Sequence, residues 1–382
     1  MLDFESAAQP GRLPATMKAA RMHEVGAALV VEDLPTPVPG SMDVVVRVRS
    51  CGIVPNLANI LKNWPTWFPG LPQPPLPAIF GLDPAGEVAA VGERVHNIRV
   101  GDRVYVNPAR SCGSCRHCRG GEPIACQFFA FQGYFGFSRH AEQTFLNYAG
   151  GGLAEYMMAP AAAIVSLPDA MSFDHAARLG YMGTGYSALK KAKVGPRTTL
   201  LVNGISGTLG ISCALFGLAM GARRILGTGR DRDLLEAVRA LAPHRIEVHS
   251  IHDGPVDGWA RSLTHNGEGV DAFVDCNGPG ASHETFVQGI MALRRGGAAV
   301  NIGAIAGPVP IDVHYMMDGN MRLHGSVWFT TAEGQEMADM VESGMVDFSV
   351  LKTVAVPLAQ VNDAISGIAR RHGGFSNFVI HP

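Results

Sequence analysis

The sequence has no excess of charge of either sign. Its 382 residues carry 31 Lys and Arg against 33 Asp and Glu, a formal net charge of −2. A chain so balanced offers no basic field for nucleic acid or an anionic membrane. It also has no apolar run of the ~20 residues that a bilayer-spanning helix requires. The opening Met1-Leu2-Asp3-Phe4-Glu5-Ser6 is acidic and lacks the apolar core of a secretory signal. The expectation is therefore a cytoplasmic protein. Residues 1–16 read as a flexible arm, and the first strand opens at Met17-Lys18-Ala19-Ala20. With 47% hydrophobic and only 17% charged residues the chain can fill a large core, and its length suggests two domains.

Cysteine is also scarce, but four of the seven are crowded as Cys112-x2-Cys115-x2-Cys118-x7-Cys126. In a reducing compartment such a cluster points to metal before disulfides. Four thiolates at this spacing close a tetrahedral zinc site with no open position, which pins a lobe and does no chemistry. One structural zinc per chain is expected.

The stretch around which the rest is organised runs from Thr199 to Arg230. An apolar strand, Thr199-Leu200-Leu201-Val202-Asn203, leads into the turn Gly204-Ile205-Ser206-Gly207-Thr208-Leu209-Gly210. A helical pattern follows, with Leu209, Ala214, Leu215, Leu218 and Ala219 on one side and Gly221 at its end. Arg224-Ile225-Leu226-Gly227-Thr228 is a second buried strand. Strand, glycine turn, helix and strand form a βαβ unit. Its turn suits a pyrophosphate, because glycines let the backbone approach and the helix N-terminus offers free N–H groups. The spacing is Gly-x-x-Gly-x-x-Gly rather than the usual G-x-G-x-x-G. Gly204, Ser206, Gly207, Thr208 and Leu209 are the expected contacts.

An NAD-binding unit usually ends its second strand on Asp or Glu, which accepts from the ribose hydroxyls. Here that carboxylate is missing: the chain reads Gly229-Arg230-Asp231-Arg232. Gly229 leaves room for a 2′-phosphate, and Arg230 can fork onto it and stack on the adenine. NADP(H) is thus expected over NAD(H), with Asp231 in the acidic role as the competing reading. Two more buried strands, Val270–Gly278 and Gly296–Ala304, end at Asn277, Gly303 and Ala304 beside the cofactor crevice.

Elsewhere, Asp43–Arg49 alternates as a strand. A loop carrying Trp64, Trp67 and Phe68 and five prolines follows, and its aromatics either pack on the domain or line a pocket. The stretch Phe128–Phe137 is rich in aromatics and either walls an apolar pocket or forms a subunit contact.

Phe80–Gly92 and Val100–Tyr105 resemble the "GHE-x-x-G-x-V-x-x-V-G" and "G-D-R-V" stretches of the medium-chain dehydrogenase/reductase superfamily, in its zinc alcohol dehydrogenase-like group. The likeness continues through the cysteine cluster, Gly151-Gly152-Leu153-Ala154-Glu155-Tyr156, the nucleotide unit and the C-terminus. It implies an α/β fold. A GroES-like β-barrel substrate domain would be built from residues 17–170 and 313–382, with a Rossmann doubly wound parallel-sheet domain, residues 171–312, inserted between them. The site would lie in the cleft, Thr184 would touch the cofactor, and Leu323–Trp328 would be a strand returning to the first domain. Trp328 or Phe329 would border the nicotinamide. A homodimer or homotetramer is implied as well.

The family's catalytic zinc is missing its ligands here. The three ligand positions fall on Val54, Leu82 and Gly180, none of which can bind a metal, and the usual relay hydroxyl falls on Asn56. The basic residue often found before the final strand falls on Asn377. Asn203–Gly210 resembles the cofactor loop of the zinc-free quinone oxidoreductase branch. Without zinc, alcohol oxidation loses its Lewis acid. Hydride can still pass to an acceptor that is already electron-poor, such as an enone, a quinone or an iminium. The expected activity is NADPH-dependent reduction of such a C=C bond, or of a carbonyl, on a small and apolar substrate. Asp83, Asn56 and Tyr181 are the candidate catalytic residues. The plainer reading pairs Asp83 with a nearby Arg and leaves Tyr181 in the core. Two other functions stand beside this one: a zinc-dependent alcohol dehydrogenase with unusual ligands, and an NADPH-binding protein without turnover.

Overall fold

The strand–turn–helix–strand unit forms the centre of a six-stranded parallel sheet. In the computed structural model, which describes residues 13–368 and 372–382, its strand order is Ile246–Ser250, Arg224–Gly229, Thr199–Asn203, Val270–Asp275, Leu293–Asn301 and Arg322–Gly325. The middles of the central strands, Leu200–Val202, Ile225–Leu226 and Ala272–Val274, are apolar because both faces are covered. Successive residues of one strand enter different cores. Leu200 and Val202 join the cluster with Ile211 and Phe216, whereas Leu201 packs on Phe273, Ile290 and Ala299.

Arg322–Gly325 corrects one expectation. It pairs in parallel with Leu293–Asn301, so the Rossmann sheet runs past residue 313 instead of closing at 312. Four residues of mixed burial at a sheet edge carry too little pattern to say which sheet they join.

The first part of the chain folds into antiparallel sheet. Asp43–Gly52 is its hub, paired with Asp83–Val91, Tyr156–Pro160 and the C-terminal strand Ser376–His381. The chain's end thus returns to its beginning. Of the expected arm, residues 1–12 lie outside the described residues, and the first strand is Thr16–Met22.

The expected aromatic loop is instead partly helix, Leu57–Trp67, with Leu57, Ile60, Leu61 and Trp64 buried. Those positions are spaced i, i+3, i+4, i+7, the stripe of a helix packed on a core. Pro65 falls in the last turn, which the helix tolerates. The closing helix is Val361–Gly367, and Ala369, where it was expected to end, lies outside the described residues. No helix among the described residues is long and apolar enough to cross a membrane.

Candidate active site and metal centre

The glycine turn has the form that a dinucleotide requires. Gly204 leaves the strand with φ +71°, a left-handed conformation open to glycine. Gly210 packs so tightly that a Cβ there would collide with the Gly204 carbonyl and the Ile205 backbone. Gly207 is the N-cap of the Thr208–Ala219 helix. No side chain caps this helix, and its first turn has no acidic residue. The first N–H groups and the positive end of the helix dipole are left for an anion. Behind the turn, the Gly374 N–H donates to the Ser206 carbonyl at 2.8 Å, so the C-terminal segment braces it.

Gly229 and Arg230 end the neighbouring strand. Arg230 is exposed and makes no ion pair among the described residues. Asp231 is already engaged: its carboxylate caps the Arg232–Arg239 helix, accepting from the Leu234 N–H at 3.0 Å. Arg232 pairs with Asp253.

Asn277, Gly303 and Ala304 are brought together beside the turn. A Cβ on Gly204 would stand 2.8 Å from Asn277 Oδ1, and the Ala304 N–H donates to the Asn277 carbonyl at 2.8 Å. Beneath them lies a polar network that sequence reasoning missed. Asn277 Nδ2 donates to Asp275 Oδ1 at 2.9 Å, Asn203 donates to the Thr285 carbonyl at 2.7 Å, and the Thr228 hydroxyl donates to Asn203 Oδ1 at 2.7 Å. Burial pushes Asp275 up to about 6. A polar residue ending each of three adjacent buried strands was the available signal.

The cysteine cluster closes as the spacing predicts. All four sulfurs lie within 4.8 Å of one another, with Cys112–Cys126 at 3.5 Å, Cys115–Cys118 at 3.6 Å and Cys115–Cys126 at 3.8 Å. Zinc–sulfur bonds of ~2.3 Å in a tetrahedron set sulfurs about 3.8 Å apart. The donor set fits zinc with no position left for a substrate. Backbone N–H groups of Ser114 and Cys115 pull Cys112 down to about 6, toward the thiolate a metal needs.

The second metal position does not fit zinc. Val54 and Leu82 are buried side chains without donor atoms, and the third position is Gly180. The space a side chain at 180 would take is filled by the Asp83 carboxylate. Asp83 is 1% exposed. It accepts from the Tyr105 hydroxyl at 2.8 Å and from the Gly180 N–H, and it faces the charge of Arg178. Burial outweighs these partners and raises it to about 7.

Asp83 is buried and ties the antiparallel sheet to the N-terminus of the Leu179–Lys191 helix. Asn56 is half-buried, and its side-chain oxygen accepts from Asn59 Nδ2 at 3.1 Å. Tyr181 is half-buried, with the Arg178 guanidinium 5.5 Å over its ring. Thr184, expected at the cofactor, is buried with its hydroxyl donating to the Gly180 carbonyl at 2.9 Å. Phe329 is fully buried and fills the space beside Gly183, so it lines no open pocket. Trp328 donates from Nε1 to Asn107 Oδ1 at 3.0 Å and packs on Phe131 with ring centres 4.6 Å apart. Cys51 is buried. Asn377, in the basic residue's place, donates to the Asp174 carbonyl at 2.8 Å.

Sequence reasoning also missed Arg178, 2% exposed. Its Nη2 donates to Thr208 Oγ1 at 3.1 Å and to the Ser376 carbonyl at 3.0 Å. One side chain therefore spans the first residue of the cofactor helix, the C-terminal strand and the vacated metal region. An arginine between Ala177 and Leu179 in an apolar stretch was its signal.

Fold, glycine turn and cysteine lobe together describe a nicotinamide-dependent dehydrogenase, and the comparisons agree. The family model "alcohol dehydrogenase GroES-like domain" matches residues 40–169, and "zinc-binding dehydrogenase" matches residues 207–343. An alcohol dehydrogenase of Moraxella sp. (strain TAE123) is 29% identical over 91% of this chain and 94% of its own length. An NAD-dependent alcohol dehydrogenase of Sulfurisphaera tokodaii is 28% identical over 92% and 96%. The crystal structure of AibC superposes with a TM-score of 0.81 at 25% identity, covering 96% of both chains. The chain belongs to the medium-chain dehydrogenase/reductase superfamily, in its zinc alcohol dehydrogenase-like group.

Proposed function

We propose that this protein is an NADPH-dependent reductase that works without a catalytic zinc and passes hydride to an electron-poor C=C bond or carbonyl of a small apolar substrate. The observation that carries this reading is the Asp83 carboxylate standing where a side chain of residue 180 would reach. When bound, the dinucleotide supplies the hydride. The Thr208–Ala219 helix N-terminus holds its pyrophosphate, and Arg178 keeps that helix in register with the domain that receives the substrate. Without a Lewis acid, charge developing on the acceptor oxygen has to be met by hydrogen-bond donors. That requirement favours acceptors polarised by conjugation.

The preference for NADPH rests on Gly229, on the exposed Arg230 and on the engagement of Asp231 as a helix cap. The Sulfurisphaera relative is named NAD-dependent, which is the competing preference. The test is oxidation of NADPH and NADH with cyclohexenone, menadione and an aromatic aldehyde, with and without chelator. The proposal expects NADPH-linked turnover that a chelator leaves intact on the time scale of the assay. Alcohol oxidation with NAD+ that a chelator abolishes would contradict it.

A further inference from the structure

The turn Phe131–Phe135, within the aromatic stretch, packs its Gly133 against Gly81 and Gly151. Gly133 sets its course. Gly133 has φ +67°, and a Cβ on it would stand 3.0 Å from the Gly81 carbonyl and collide with Gly151. Residue 134 is thereby delivered beside the Gly81-Leu82-Asp83 segment. The Tyr134 N–H closes the turn on the Phe131 carbonyl at 3.1 Å.

Tyr134 is 7% exposed, so its ring is enclosed. Its hydroxyl has no hydrogen-bond partner among the described residues. Unlike the Trp64 indole nitrogen, which is buried without a partner, the Tyr134 oxygen keeps contact with solvent. A buried phenol without a partner costs stability unless a ligand or water meets it. Around it stand Phe135, with ring centres 4.8 Å apart, and beyond that Phe68 at 5.7 Å and Phe137 at 4.5 Å from Phe135. Apolar aromatic walls with one free polar group are the usual make-up of a small-molecule pocket.

We propose that the Tyr134 hydroxyl is the donor that holds the carbonyl oxygen of a planar, apolar enone or enal, and that the Phe131–Phe137 wall selects such substrates. This rests on the reductase reading above. Hydride addition at the β-carbon moves the C=C π electrons toward the oxygen and leaves an enolate. A hydrogen bond from Tyr134 offsets that charge, and a proton taken from solvent at the α-carbon completes the saturated carbonyl. Burial, with the charges of Tyr181 and Asp83, holds the Tyr134 phenol well above its ordinary value. It therefore stays protonated and acts as a donor.

The test uses 4-(dimethylamino)cinnamaldehyde, a conjugated enal whose visible band moves to the red when its oxygen accepts a hydrogen bond. It is added to the whole protein holding oxidised dinucleotide, so that no reduction can occur. The expected result is a red shift with wild type that Tyr134→Phe abolishes, while quenching of tryptophan fluorescence shows the probe still bound. Tyr181→Phe should keep the shift. With NADPH, Tyr134→Phe should lower kcat for the same enal about 100-fold, with NADPH binding unchanged. A shift that survives in Tyr134→Phe, or wild type that does not bind the probe, overturns the assignment. A Tyr134-dependent shift without NADPH oxidation would sustain the hydrogen bond and overturn the reductase reading instead.

Discussion

A Cβ built on Gly180 would stand 2.7 Å from Cγ of Asp83. No real side chain tolerates that approach, so the two residues depend on each other. Glycine at 180 lets the carboxylate turn onto the N-terminus of the Leu179–Lys191 helix, and the carboxylate in turn fills the place of a metal ligand.

Gly180→Cys should therefore destabilise the protein by about 1–3 kcal/mol, the usual cost of overpacking a core. A denaturant titration would show this as a lower midpoint at constant slope. The triple variant Val54→Cys, Leu82→His, Gly180→Cys should gain no second zinc while Asp83 remains. Adding Asp83→Ala should open the space.

Asp83 also gives stability a pH dependence of known sign. Its pKa is about 7 in the fold against an ordinary 3.8, so between those values the folded state holds more proton than the unfolded one. Stability from this group is full below about pH 3.8, falls as pH rises toward 7, and levels off above. Relative to Asp83→Asn, wild type should lose stability over that window. Melting temperatures of the pair across pH 4–8 check this, and parallel curves would contradict it.

Serine at Cys112, Cys115, Cys118 or Cys126 should abolish zinc retention and lower the melting temperature, because a closed four-thiolate site contributes directly to folding. Dinucleotide affinity should survive, since the glycine turn belongs to the parallel sheet. Elemental analysis, calorimetry and NADPH fluorescence on each variant separate these effects.

Arg230→Ala should weaken NADPH about 10-fold or more, the loss of a charge-assisted contact, and leave NADH unchanged. Gly229→Asp should also weaken NADPH, by placing a carboxylate against the 2′-phosphate. Equal NADPH and NADH affinities in wild type would remove the basis for both.

Much of this was legible in the sequence because it is local. The glycine turn, its flanking buried strands and the cysteine spacing are set by residues a few positions apart, and each recurs in the structure. What failed was non-local. Asp83 reads either as a catalytic carboxylate or as the partner of a nearby Arg, and the sequence does not show that Gly180, Tyr105 and Arg178 come onto it from distant parts of the chain. The bond of the Thr184 hydroxyl to the carbonyl of Gly180 was likewise not part of the reading. The Leu57–Trp67 helix was hidden by Pro65 and the prolines after it, although its apolar spacing was visible. Tyr134 could not be chosen among so many aromatics until Gly133 fixed the direction of its turn.

The account stands most directly on the number of zinc ions per chain in protein purified without chelators. It predicts one, held by Cys112, Cys115, Cys118 and Cys126, and lost when any of them becomes serine. Two per chain, with the second surviving substitution of those cysteines, would show that the space beside Gly180 still binds metal, and zinc-dependent alcohol oxidation would take the place of the reduction proposed.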